Sequence, residues 1–226
     1  MSDGSRSDGS DSDGSDEEEK TESRAVDRLT LFSDAVVAIA ITLLALDLPV
    51  PEGDSVSAFW SSVRENDGHY AAFLISFVVI AAAWGNHHDV FRYLRRTSPR
   101  LRTFNMAWLM TIVLNPFATR LLTSAGNPVL DVHAVRFGFY ALLQVAESGV
   151  FLSMMRHMIA RGLAPGLPQP VVTSLTRQSY VLMAAFGVSI PIFFVTTYGW
   201  LLWLAGPLAE GQLKRLRRLR RERPRR

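Results

Sequence analysis

Residues 28–48 read RLTLFSDAVVAIAITLLALDL, and Pro49 and Pro51 follow. The stretch has about the 20 residues of apolar helix that a hydrocarbon core requires. Yet it opens with Arg28, Phe32, Ser33 and Asp34 and ends on Asp47. An acidic side chain inside a bilayer costs roughly 2.5–3.5 kcal/mol on insertion scales, so it faces protein or water. At about 100° per helical residue, Phe32, Ala35, Ile39, Leu43 and Leu46 share one narrow stripe, with Thr42 about 60° to one side of Ile39. Ser33 and Asp34 point elsewhere, toward other helices. Periodicity alone reads such a stripe as a helix–helix seam and reads Ser33 and Asp34 equally well as a helix cap.

Outward from this segment the apolar stretches recur, at 70–93, 103–123 and 134–158, and 171–209 is long enough for two crossings with a turn near Ser189-Ile190-Pro191. The basic residues test that count. The connection after the first stretch has Arg64 alone, whereas the next has Arg92, Arg95, Arg96, Arg100 and Arg102. Arg120 and Arg136 flank the following one, and Arg156, Arg161 and Arg177 the one after. The last connection has none, and 214–226 carries nine. Basic-rich and basic-poor connections alternate, which predicts an all-α membrane protein with six transmembrane helices and both termini in the cytoplasm. Five spans would break the alternation.

The whole chain of 226 residues is 48% hydrophobic with a net charge of +3, but these averages hide a segregation. Residues 1–22 hold nine acidic and two basic residues and no apolar one after Met1. This composition predicts a disordered acidic tail, and it lacks the basic start and apolar core of a signal peptide. A membrane domain is expected over 23–210 and a basic cytoplasmic tail over 211–226. Nine basic residues directly after a span suit anionic lipid headgroups better than nucleic acid. With no cysteine there is no disulfide, thiolate nucleophile or cysteine metal site.

His87-His88-Asp89 invites a metal reading, but adjacent histidines point about 100° apart on a helix and no i, i+4 pair is present. Hydrogen bonding is the expected role. Glu147 and Gln144 lie inside the fourth stretch, where a carboxyl group serves either as a proton or cation relay or as a hydrogen-bond partner of a neighbouring helix. Asn115-Pro116 reads equally well as a broken helix of the kind found at transporter sites and as a simple proline kink.

Two motifs occur together: Arg28-x-x-x-Phe32-Ser33-Asp34-Ala35 running into Ala-Ile-Ala-Ile-Thr-Leu-Leu, and Ser76-Phe77 followed by Trp84-Gly85-Asn86-His87-His88 and Phe91. With Asn105 and Pro116-Phe117, the combination resembles the bacterial transmembrane-protein-175 family of potassium-permeable channels, related to a lysosomal potassium channel of animals. The resemblance implies a tetramer whose first helices line a central pore, without the T-V-G-Y-G carbonyl filter, which this chain also lacks. Carried over by position, it places the pore constriction at Ile39, Leu43 and Leu46 and the modest potassium preference at Thr42. It also implies a buried polar network of Arg28, Ser33 and Asp34 with Trp84, His87 or His88, and Asn105, beside Phe32. Asp47, near the end of the stripe, is placed to concentrate cations at the mouth.

The expected function is therefore passive, potassium-permeable cation conduction by a homotetramer in the cell membrane, with potassium as the permeant species. No cofactor or metal and no enzymatic activity are expected. The alternatives are a proton- or cation-coupled transporter using Glu147, and a structural membrane protein.

Overall fold

The computed structural model describes residues 8–124, 130–193 and Trp203. Among them are six helices and no strand: α1 (Asp8–Leu46), α2 (Val56–Glu65), α3 (Asp67–Phe91), α4 (Pro99–Thr123), α5 (Leu130–Ala160) and α6 (Gln169–Phe193). Three contain segments long and apolar enough to cross a membrane: Glu19–Leu46, Asp67–Phe91 and Val132–Ala160. The first five expected spans correspond to α1, α3, α4, α5 and α6. The sixth lies outside the described residues except for Trp203, as does the basic tail over 211–226.

Two local expectations are corrected. The stretch 8–22, read as disordered, is the start of α1. Extending an existing helix adds a hydrogen bond per residue without the cost of a new nucleus, and acidic residues suit a helix N-terminus. Thr21 Oγ1 donates to the Glu17 carbonyl, and Glu22 Oε2 lies 3.1 Å from Arg96 Nε. Next, the turn expected at Ser189-Ile190-Pro191 does not occur there, because α6 runs through Pro191 to Phe193. Ser189 is buried and its hydroxyl donates to the Phe186 carbonyl at 2.6 Å, so the polar residue is satisfied within the helix. The first connection contains α2, whose N-cap is Ser55: its hydroxyl accepts from Ala58 N at 3.1 Å.

The fold is organised around α4, which packs against α1, α3 and α5, while α5 packs in turn on α6. Ser98 caps α4 by accepting from Leu101 N, and Pro99 occupies the first turn, where no N–H is needed. Leu101, Trp108 and Ile112 of α4 are fully buried, together with Ile80 of α3 and Met154, Met155 and Met158 of α5. At the end of α5, Gly162 adopts a φ of +61°. Its N–H reaches the Ile159 carbonyl and the Leu163 N–H reaches that of Met158, closing the helix in a left-handed turn that glycine adopts without steric cost. The Leu163 carbonyl then accepts from Arg95 N at 2.8 Å, tying the α3–α4 connection to the α5–α6 connection.

Ile112 and its neighbour Val113 provide a test, because Ile112 is fully buried and Val113 is 48% exposed. Ile112→Ala is expected to cost about 2–5 kcal/mol by opening a cavity, whereas Val113→Ala stays within about 0.5 kcal/mol. Equilibrium unfolding of the purified variants measures both.

Candidate functional site

α1 has two distinct faces. Val26, Leu29, Ser33, Val37, Ala40 and Leu44 are buried and follow one another at helical spacing, facing α3 and α4. About 120° round the helix, Phe32, Ala35, Ile39, Leu43 and Leu46 are uncovered, with Ile39 59% and Leu46 78% exposed. Thr42 lies on the exposed side, and its Oγ1 donates to the Ile39 carbonyl at 2.8 Å.

The buried face is fixed by a directional chain of hydrogen bonds. Ser33 Oγ, which is fully buried, donates its single proton to the Leu29 carbonyl at 2.8 Å. It must therefore accept from its other neighbour, and Asn105 Nδ2 lies 2.8 Å away as the donor. That orientation turns Asn105 Oδ1 toward His87 Nε2 at 2.9 Å, so the imidazole nitrogen carries the hydrogen. The His87 ring is held between Phe91, with centroids 3.7 Å apart, and Trp108, at 4.3 Å. Its Nδ1 is buried without a partner among the described residues.

The expected network of α1, α3 and α4 is divided into two parts. Ser33, Asn105 and His87 form the buried part. Asp34 is joined separately, accepting from Trp84 Nε1 at 2.8 Å in a partly exposed pair. His88 is exposed and touches the Trp84 ring with centroids 5.6 Å apart. Arg28 and Phe32 are exposed, and Arg28 is joined to neither part among the described contacts. Asp47 lies 3.4 Å from Arg120 Nη1 on α4, so its charge is compensated within the chain. No group of three or more histidine and acidic residues suited to a metal occurs among the described residues.

Trp108 was not singled out from sequence, although its place one turn after Asn105 puts it on the same face of α4. A second polar cluster was not expected as a unit, although Ser76, Asn115, Gln144 and Glu147 each stand out in the sequence. Asn115 Nδ2 reaches the Thr111 carbonyl at 3.0 Å and Glu147 Oε2 at 3.3 Å, while its Oδ1 accepts from Gln144 Nε2 at 2.7 Å. Thr119 Oγ1 lies 2.7 Å from Ser76 Oγ and 2.8 Å from the Asn115 carbonyl, and Ser76 Oγ lies 3.2 Å from the Tyr140 hydroxyl. Within α4, Asn115 and Thr119 lie on either side of Pro116, whose missing N–H interrupts the backbone ladder.

Fold and site together define a helical membrane protein whose first helix is anchored by polar contacts on one face and left apolar and open on another. Residues 28–116 match the family described as endosomal/lysosomal potassium channel TMEM175. A protein named as a potassium channel from Chamaesiphon minutus is 32% identical over 184 residues, covering 80% of this chain and 90% of that one. Another so named, from Streptomyces collinus, is 36% identical over 135 residues, covering 60% of this chain and 65% of that one, just under two thirds of its length. The crystal structure of a lysosomal potassium-selective channel TMEM175 homolog from Chamaesiphon minutus superposes with a TM-score of 0.65 at 29% identity, over 86% of this chain and 98% of that chain. The chain belongs to the TMEM175 family.

Asn105→Leu would leave both the Ser33 hydroxyl oxygen and the His87 N–H without a buried partner. A loss of about 1–3 kcal/mol for each orphaned group is expected, against a smaller loss for Trp84→Phe, whose partner Asp34 is accessible to solvent. Thermal unfolding of the two variants compares them.

Proposed function

We propose that this chain is the subunit of a homotetrameric, potassium-permeable cation channel of the cell membrane, with α1 of each subunit facing a central pore. The observation that carries the reading is the uncovered stripe of Phe32, Ala35, Ile39, Leu43 and Leu46 on a helix whose other face is fixed by Ser33 and Asn105. Four copies of that stripe around an axis would form stacked apolar rings. A narrow apolar throat excludes the water an ion carries and so closes by dewetting. Ile39, Leu43 and Leu46 are its constriction.

Thr42 suits the selectivity role by its hydrogen bonding. Its proton is committed to the Ile39 carbonyl, so the hydroxyl oxygen is free to present lone pairs to a cation. Four such oxygens would replace part of a hydration shell with neutral dipoles. Asp47 takes a reduced part: paired with Arg120, it offers the mouth less negative potential than a lone carboxylate. Six spans with cytoplasmic termini, and a basic tail on anionic headgroups, complete the proposal on the alternation of basic residues. Glu147, hydrogen-bonded by Asn115 away from the α1 stripe, is a structural partner in this reading and not a coupling site.

Flux from liposomes loaded with potassium chloride tests the proposal. Ile39→Asn is expected to raise potassium flux, because a polar ring keeps the throat wet; unchanged flux removes Ile39 from the pore. Thr42→Val is expected to lower the potassium-over-sodium permeability ratio by up to about tenfold, the equivalent of about 1.4 kcal/mol. A ratio that does not move removes Thr42 from ion selection.

A further inference from the structure

Away from the α1 stripe, a cavity of about 340 Å³ lies where α3 faces α5 and α6. Ile75 and Val79 line it from α3, Trp108 from α4, Gln144 and Glu147 from α5, and Gln178 from α6. Its volume is within the range of small-molecule sites. The lining is mostly apolar, with Phe151, Leu182, Phe186 and Trp203 beside the aliphatic side chains of α3, and α5 and α6 add to it a carboxyl group and amides.

Glu147 is only 6% exposed, and its only hydrogen bond among the described residues is the 3.3 Å contact from Asn115 to Oε2. Asn115 cannot offer more, since its second N–H is used by the Thr111 carbonyl. Oε1 therefore has no hydrogen-bond partner among the described residues, beside the cavity. A buried carboxyl group supported by one long bond from a neutral amide is under-compensated, and a charged donor is the partner that offsets this most. A bare alkali cation would meet mostly hydrocarbon here, with too few oxygens to replace its hydration. An organic cation satisfies both the apolar lining and the carboxyl group.

We infer that this cavity is a binding site for a lipophilic amine, whose ammonium group donates to Glu147 while its hydrocarbon body lies against Ile75, Val79 and Trp108. The site is separate from the α1 stripe and does not depend on that stripe lining a pore.

The test is a titration of the full-length protein in detergent with 1-aminoadamantane and with its neutral counterpart 1-adamantanol, followed by thermal unfolding. The amine is expected to bind about tenfold or more tightly than the alcohol, the difference a charge-assisted bond supplies. Glu147→Gln is expected to bring the two compounds together. Val79→Trp, which fills the cavity from the α3 wall and leaves the carboxyl group in place, is expected to abolish binding of the amine and decides the matter should Glu147→Gln not fold. Equal binding of both compounds by the wild type would identify an apolar crevice for a detergent or acyl chain and overturn the inference. So would the absence of amine binding, or amine binding that survives both substitutions.

Discussion

The rest of the structure depends on the hydrogen bond from Asn105 to Ser33, with the bonds to Leu29 and His87 on either side of it. In a soluble protein, burial of an apolar stripe selects which face of a helix turns inward. In a bilayer both the lipid and the protein interior are apolar, so that selection is weak, and polar contacts and close packing take its place. α1 is apolar on nearly every side beyond Asp34. Ser33 meeting Asn105 sets its rotation, and the rotation decides that Ile39 and Leu43 are left uncovered while Val37 and Leu44 are buried. A slip of one residue would turn the helix by about 100° and present a different face.

α4 acts as the polar spine of the subunit. Asn105 joins it to α1 and α3, and Asn115, about 15 Å further along the helix axis, joins it to α5. Each asparagine both donates and accepts, so each fixes the orientation of the side chains on either side of it. The two clusters serve different ends. The first orients the helix whose free face carries the proposed pore, and the second supports α4 around Pro116 and leaves Glu147 beside the cavity against α3. The proposed pore and the proposed ligand site thereby lie on separate parts of one small bundle.

Much of this was legible in the sequence, and for a physical reason. Helices that must satisfy their backbone without water announce themselves by apolar length, so α1, α3, α4 and α5 and a fifth helix beginning near residue 170 were expected where they occur. Ser33, Asn105 and His87 were placed together through the family resemblance, and the geometry adds the order of donors along the chain. Local composition misled where tertiary context prevailed. Serine, aspartate and glycine over 8–22 are continued in a helix that is already formed, and Pro191 sits within α6 where a turn was expected. Arg28 and His88 stand outside the buried cluster, a distinction that spacing does not resolve. The partner of Asp47 was invisible for the same reason, because Arg120 is 73 residues away and reaches it only through the packing of α4 against α1.

The central claim is that the uncovered stripe of α1 faces its own copies across an axis. The chain contains no cysteine, so a single introduced thiol reports its own surroundings without interference. Ile39→Cys, Leu43→Cys and, as the buried control, Val37→Cys would each be oxidised in native membranes and the products separated by mass. Disulfides need Cα atoms within about 7 Å, so only positions that meet their counterparts near an axis can form them. Cross-linked dimers are expected from the stripe positions and monomers from Val37→Cys. Cross-linking at Val37 with none at Ile39 or Leu43 would contradict it.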